Sequence, residues 1–165
     1  MSTDKKDIAQ GLAVLLADTY TLYLKTQGFH WNVQGPQFTS LHTLFETEYT
    51  DLAAANDEIA ERIRALGYFA PASYSDFAKL GKIKEEASVP SANEMIAQLA
   101  RDNETIVEQI RSIRPLIDES ADNATASLLD GRLEIHEKAI WMLRSHLHDA
   151  RETPLNGSIA GQFAA

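Results

Sequence analysis

Residues 36–66, PQFTSLHTLFETEYTDLAAANDEIAERIRAL, decide the fold. Apolar residues recur in this stretch at steps of three and four, which predicts one long amphipathic helix that starts at Pro36 and ends before Gly67. The predicted buried stripe consists of Phe38, Leu41, Phe45, Tyr49, Leu52, Ile59, Ile63 and Leu66. A helix of this length with a single apolar stripe needs other helices to cover that stripe.

The same period marks three further stretches, residues 5–29, 91–117 and 124–150. The third helix opens on Ser91 and Glu94, which have capping-box spacing. Four helices with one stripe each predict an all-α four-helix bundle. The long connection 67–90 carries Tyr74, Phe77 and Leu80, so we expect a short extra helix there, between helices 2 and 3. Such a connection can cross the bundle from end to end; an up-down-up-down bundle with an unstructured loop is the alternative.

Composition limits the classes of function. The 165 residues fit a single domain, 1–165, with tails at 1–6 and 155–165. The net charge of −9 disfavours nucleic acid and anionic membranes unless a local basic patch opposes it. The absence of cysteine excludes disulfides, thiolate nucleophiles and Cys-ligated metals. No apolar run approaches a membrane span or a signal peptide, so we expect a cytoplasmic protein.

The informative polar residues lie on the second helix. His42, Glu46, Asp57 and Glu61 fall at about 0°, 40°, 60° and 100° on the helical wheel, so they share one face beside the apolar stripe. One chain cannot gather all four at one metal, because His42 and Glu61 are about 28 Å apart along the axis. Acidic residues four apart are also typical of a solvated helix face, so each pair alone is weak support for a site.

The spacing of these four residues is symmetric. The pairs 42/61 and 46/57 share the midpoint 51.5, so two copies of the helix crossing antiparallel there would place His42 against Glu61 and Glu46 against Asp57. Thr50, Ala53 and Ala54 are small enough for a close approach at that point. A twofold dimer of this kind would hold two identical sites.

His30 can join each site, because it ends the first helix just before the second begins. Two imidazoles with carboxylates suit Fe(II), Mn(II) or Zn(II), and carboxylates also stabilise Fe(III). A lone histidine beside Trp31 is more often a packed or capping residue, and that alternative stays open.

Three segments together resemble the Dps family of mini-ferritins. They are 30–38 (HWNVQGPQF) with 41–45 (LHTLF), 57–63 (DEIAERI) with Leu66 and Gly67 after it, and 136–144 (HEKAIWMLR) near the C-terminus. The resemblance covers about residues 5–150. It implies a ferritin-like four-helix subunit, a hollow homo-dodecameric shell and ferroxidase centres at twofold interfaces that oxidise Fe(II) to Fe(III), usually with hydrogen peroxide. Ferric oxide is then stored in the shell, which protects DNA.

The resemblance also implies roles for individual residues. His30 and His42 of one chain and Asp57 and Glu61 of the other would bind iron, with Trp31 beside the centre as an electron donor that intercepts radicals. Glu46 stands where many members of the family carry Asp, and its extra methylene would change the affinity of the centre for a second iron. The chain has no Glu-x-x-His pair, since His136 follows Glu134 by two residues, so a bacterioferritin-type centre and its haem are not expected.

Acidic residues near the start of the fourth helix line pores at threefold axes in the family, and here Asp118, Asp122 and Asp130 are the candidates for iron entry. The alternative is that these charges complement the helix dipole, for which Asp122 alone suffices. Ser127 stands where another acid is expected.

Some members of the family bind DNA through Lys-rich tails, but here Lys5 and Lys6 are offset by Asp4 and Asp7. We therefore expect no strong DNA binding. Two alternatives remain: a nucleoid-associated, DNA-compacting protein with an incidental metal site, and a relative that holds zinc or manganese.

Overall fold

A computed structural model describes residues 5–147, which form five helices and no strand. They are α1 (Lys5–Asn32), α2 (Phe38–Ala65), α3 (Tyr74–Leu80), α4 (Ala92–Ser120) and α5 (Asn123–Ser145). Helix α1 packs against α2, α3 and α4, and α5 packs against α4 and α2. The predicted four-helix bundle with a short helix in the long connection is therefore confirmed.

All four long helices contribute to one apolar core. The fully buried side chains include Ile8, Leu12, Leu15 and Leu22 from α1, Leu41, Phe45, Ile59 and Ile63 from α2, Met95, Ile96, Leu99 and Ile106 from α4, and Leu129 and Leu143 from α5. The predicted cap of α4 is also confirmed, because the Ser91 hydroxyl accepts a hydrogen bond from the backbone N–H of Glu94 (3.3 Å).

Four predicted helix ends differ from the structure by two residues or more. Helices α1 and α4 each run three residues beyond their predicted ends, to Asn32 and Ser120. The start of α2 and the end of α5 differ for reasons of turn geometry. Pro36 lies in the turn before α2, because Gly35 adopts φ +111° and its carbonyl accepts from the N–H of Phe38 (3.0 Å), which delays the helix by two residues. Helix α5 ends at Ser145 rather than Ala150. A tight turn closes it, in which the N–H of Leu147 donates to Arg144 O (3.0 Å), and the side chain of Leu147 is exposed.

The connection between α2 and α4 is anchored on a buried carboxylate. Asp18 of α1 is fully buried and accepts hydrogen bonds from the backbone N–H groups of Lys82 and Ile83 (2.7 Å each) and from the side-chain amide of Gln109. A Cβ at Gly81 would lie 2.7 Å from the Asp18 Oδ1, so this close approach requires glycine. These contacts hold α3 against α1, next to the polar face of α2.

A chain of polar side chains crosses the core from α4 to α2. His136 Nδ1 donates to Asn103 Oδ1 (2.7 Å), the Arg132 guanidinium donates to His136 Nε2 (3.1 Å), and the same guanidinium pairs with Asp51 (2.8 Å). Burial and the nearby Arg132 lower the pKa of His136 to about 3. Burial and the neighbouring Asp51 raise the pKa of Glu48 to about 8.

This burial makes His136 a source of acid sensitivity. In the unfolded chain His136 binds a proton below pH ~6.5, whereas in the folded protein it stays neutral until the pH nears 3. The free energy of unfolding therefore decreases as the pH falls from ~6.5 towards 3. Between pH 7 and pH 4 we expect His136 to contribute a loss on the order of 3 kcal/mol per subunit.

Unfolding midpoints followed by circular dichroism at both pH values test this expectation. The drop should be smaller in His136→Gln and unchanged in His146→Ala, whose histidine lies near the surface. Equal drops in His136→Gln and the parent protein would contradict it.

Candidate metal centre

The last turn of α1 and the first turns of α2 bring two histidines into contact. His30 Nδ1 donates to the backbone carbonyl of His42 (2.7 Å), and His42 Nδ1 donates to the backbone carbonyl of His30 (2.8 Å). The imidazole rings are stacked, with centroids 3.8 Å apart and planes 15° apart. Since a carbonyl can only accept, each Nδ1 carries the hydrogen and each Nε2 keeps the lone pair that binds a metal in its neutral form.

Aromatic side chains orient this histidine pair. The ring of Phe38 stacks on His42 with centroids 5.1 Å apart, and the rings of Tyr49 and His30 form a T-shaped pair with centroids 5.2 Å apart. Both rings belong to α2, four residues before and seven residues after His42, so the helix period sets their positions. The sequence pattern predicts both rings in the buried stripe of α2 and does not predict their contacts with the histidines; for Phe38 the prediction is wrong, because its side chain is 44% exposed.

The three candidate carboxylates, Glu46, Asp57 and Glu61, are exposed on α2. Glu46 lies one turn after His42, but Asp57 and Glu61 lie about 22 and 28 Å along the helix from it. Within residues 5–147 no three His, Asp or Glu side chains come close enough to hold a metal ion. A single chain therefore brings His30 and His42 together but does not bring Asp57 and Glu61 to them.

The surface around the carboxylates is open and lined by small side chains. Thr50, Ala53 and Ala54 are exposed on α2. Asp57 lines a groove of about 490 Å³ together with Ala53, Ala60, Tyr20 and Tyr74, among others. This face can therefore accept a second helix at close range.

Trp31 follows His30 directly at the end of α1. Its side chain is 62% exposed and lines a groove of about 510 Å³ with Leu24, Gly28 and Phe29, among others. The ring that meets His30 edge-on is Tyr49. The proposed redox role of Trp31 therefore stays a prediction.

The three candidate pore residues lie near the junction of α4 and α5. Asp122 caps α5 by accepting from the N–H of Thr125 (3.1 Å) and pairs with Arg62 (2.8 Å), so its charge lies at the N-terminus of α5, where the helix-dipole alternative needs it. Asp118 and Asp130 both pair with Arg114, Asp118 at 2.9 Å. A pore needs further copies of the chain, and that role remains a prediction.

Comparison with known proteins identifies the family. Residues 9–153 match the family model of the ferritin-like domain. A DNA protection during starvation protein from Brevibacillus brevis is 37% identical over 147 residues, covering 87% of this chain and 99% of that protein. A low temperature-induced protein from Nostoc is 45% identical over 134 residues, covering 80% of this chain and 75% of that protein.

Solved structures show the same fold. The Dps protein of Vibrio cholerae O1, described as a member of a broad superfamily of ferritin-like diiron-carboxylate proteins, has a TM-score of 0.85 at 35% identity, covering 89% of this chain and 92% of that chain. The Dps protein from Bacillus brevis has a TM-score of 0.85 at 34% identity, covering 90% and 99%. The fold is thus that of a ferritin-like protein. Within that class, the chain belongs to the Dps family.

Proposed function

We propose that this protein oxidises Fe(II), preferably with hydrogen peroxide, stores the ferric oxide and so protects DNA. The observation that carries the proposal is the reciprocal pairing of His30 and His42, which stacks the two rings and leaves the Nε2 lone pair of each to bind a metal. Histidines that bind a metal almost always donate the N–H of their other ring nitrogen to a carboxylate, a backbone carbonyl or water, and both of these histidines have that arrangement. The superfamily description of the Vibrio cholerae relative supports iron as the metal, and the name of the Brevibacillus relative supports DNA protection.

The complete site requires two chains. An antiparallel crossing of two α2 helices at residue 51.5 places the His30/His42 pair of one chain against Asp57 and Glu61 of the other, with Glu46 nearby. The exposed small residues on that face support such a crossing. We infer that this twofold dimer is the unit of a closed homo-dodecamer, in line with the family resemblance.

The chemistry follows from the ligand set. Nitrogen ligands suit Fe(II), and carboxylates stabilise the harder Fe(III) product. Two Fe(II) ions supply the two electrons that reduce one peroxide to water, so the Fe(II) that would otherwise generate hydroxyl radicals is consumed with the peroxide. The protein contributes geometry and charge, while iron, as the substrate, supplies the redox change.

Iron entry and location complete the proposal. We infer that Asp118, Asp122 and Asp130 line an entry path near the α4–α5 junction, where Arg114 and Arg62 offset part of their charge.

Among the helices that the structure describes, between residues 5 and 147, none has an apolar stretch that could span a membrane. We propose that the protein acts in the cytoplasm, as its composition predicts.

Anaerobic loading with Fe(II) followed by hydrogen peroxide tests the proposal. Ferric absorbance should rise in a fast phase with two irons oxidised per peroxide. If the site is instead reserved for zinc or manganese, either metal should bind at the His30/His42 pair and no fast ferric phase should follow peroxide. That second result would contradict the proposal.

The competing function, DNA compaction, makes a separate prediction. Lys5 and Lys6 lie on the first turn of α1 beside Asp7, so the local basic charge is small, and the net charge of −9 opposes phosphate binding. We expect no gel shift with duplex DNA at moderate salt. Any shift at low salt, where twelve copies can act together, should weaken in Lys5→Ala/Lys6→Ala. A shift retained at moderate salt would favour the DNA-compacting protein.

A further inference from the structure

Four tyrosines form a continuous row that begins at the histidine pair. Between ring centroids, Tyr49 lies 5.2 Å from His30, Tyr23 lies 6.3 Å from Tyr49, Tyr20 lies 5.6 Å from Tyr23, and Tyr74 lies 6.3 Å from Tyr20. The row thus runs from α2 through α1 to α3. Three of its rings are half-buried, whereas Tyr74 is 72% exposed.

The far end of the row lies beside Asp57. Tyr20 and Tyr74 line the same groove as Asp57. Within one chain, the row therefore joins the His30/His42 half-site to the Asp57/Glu61 half-site, about 22 Å along α2. In the proposed dimer these two halves belong to different iron centres, so each chain connects the two centres.

We propose that Tyr49, Tyr23, Tyr20 and Tyr74 carry electrons between the two iron centres of a dimer; this rests on the proposed ferroxidase function. Electron transfer slows steeply with distance, so several short steps between oxidisable rings are faster than one long step. The row lets a centre that holds one iron draw its second electron from the other centre.

The electrons and atoms balance without an added reductant. Peroxide at one centre takes one electron from the Fe(II) there and one from Tyr49, and its O–O bond breaks. Tyr49 is reduced again by Tyr23 and so along the row, and the last ring is reduced by Fe(II) at the other centre. Each tyrosine loses its phenol proton on oxidation and regains one on reduction. In sum, two Fe(II), one peroxide and two protons give two Fe(III) and two waters.

Packing alone does not account for the row. Edge-to-face and stacked rings stabilise helix contacts whether or not they carry a hydroxyl, and the stacked partner of Tyr20 at 4.9 Å is indeed a phenylalanine, Phe77. Every link between the two half-sites nevertheless carries a phenol. A Tyr→Phe change preserves ring packing and removes the group that is readily oxidised.

The central link, Tyr23, gives the sharpest test, because its ring contacts no proposed ligand. The protein is loaded anaerobically with one Fe(II) per subunit and then given half that amount of peroxide, in the presence of a spin trap. The unaltered protein should oxidise all of its iron. Tyr23→Phe should leave about half of the iron as Fe(II), because each peroxide then draws only one electron from iron, and a tyrosyl or trapped hydroxyl radical should appear in electron paramagnetic resonance spectra.

Tyr68→Phe is the matched control, since Tyr68 packs on the core outside the row. It should behave as the unaltered protein does, and helix content should be equal in all three. Complete iron oxidation by Tyr23→Phe without a radical signal would overturn the relay. If the unaltered protein and Tyr68→Phe both fail to oxidise iron rapidly, the ferroxidase function fails instead, so the two failures are distinguishable.

Discussion

Replacing both His30 and His42 with alanine is expected to abolish the fast phase of Fe(II) oxidation by peroxide. These side chains supply the two nitrogen ligands, and each also holds the other through a hydrogen bond to the backbone. Loss of an outer-shell partner alone typically costs about 10- to 100-fold in metal affinity or activity, and loss of two ligands should cost more. Stopped-flow ferric absorbance on anaerobically loaded protein measures the effect.

The double variant needs a check on folding, because it also removes two hydrogen bonds that tie α1 to α2. Each contributes about 1 kcal/mol, so the bundle should persist with a lower melting temperature. His146→Ala removes a histidine outside the site and should retain the fast phase. Equally fast oxidation by the double variant and the parent protein would show that the site has been assigned wrongly.

Neutralising Asp57 and Glu61 together, as Asp57→Asn/Glu61→Gln, is the second large effect that we expect. Neither carboxylate can reach the histidines of its own chain, yet the fast phase should be lost as completely as in the histidine variant. Removal of the carboxylates also removes the oxygen ligands that stabilise Fe(III). Iron titration followed by stopped-flow oxidation measures both losses.

The chain offers a close control for this variant. Glu58→Gln removes an exposed charge next to Asp57 on α2, but Glu58 lies outside the proposed ligand set. It should oxidise iron normally. If Asp57→Asn/Glu61→Gln keeps the fast phase while the histidine variant loses it, the metal is held by other ligands and the dimeric centre is wrong.

Most of the fold could be predicted, because it depends on the helical spacing of apolar residues and on the residues that begin and end helices. The stripes of α1, α2 and α4, the Ser91 cap and the short helix α3 each follow from local spacing. The start of α2 and the end of α5 were predicted wrongly because they depend on turn geometry. Pro36 suits a first helical residue, but the positive φ of Gly35 inserts a turn first.

The candidate site could be predicted only in part. The spacing of His42, Glu46, Asp57 and Glu61 is given by their sequence positions, and the 3.6-residue turn of a helix places all four on one face. Their common face could therefore be predicted from the sequence alone. The stacking of His30 on His42 depends on how the turn at 33–37 brings α1 and α2 together, which no spacing rule specifies. The position of Tyr49 beside His30 could not be predicted. An aromatic residue in the apolar stripe of a helix usually serves only in packing, and its neighbours on other helices become known only from the structure.

Subunit mixing tests the central claim most directly. A chain with His30→Ala/His42→Ala and a chain with Asp57→Asn/Glu61→Gln, each inactive alone, are co-assembled in equal amounts. With random pairing, about half of the dimers are mixed and each mixed dimer holds one intact centre, so about one quarter of the parent protein's fast ferric amplitude should return. A mixture as inactive as its two components would contradict a centre shared between two chains.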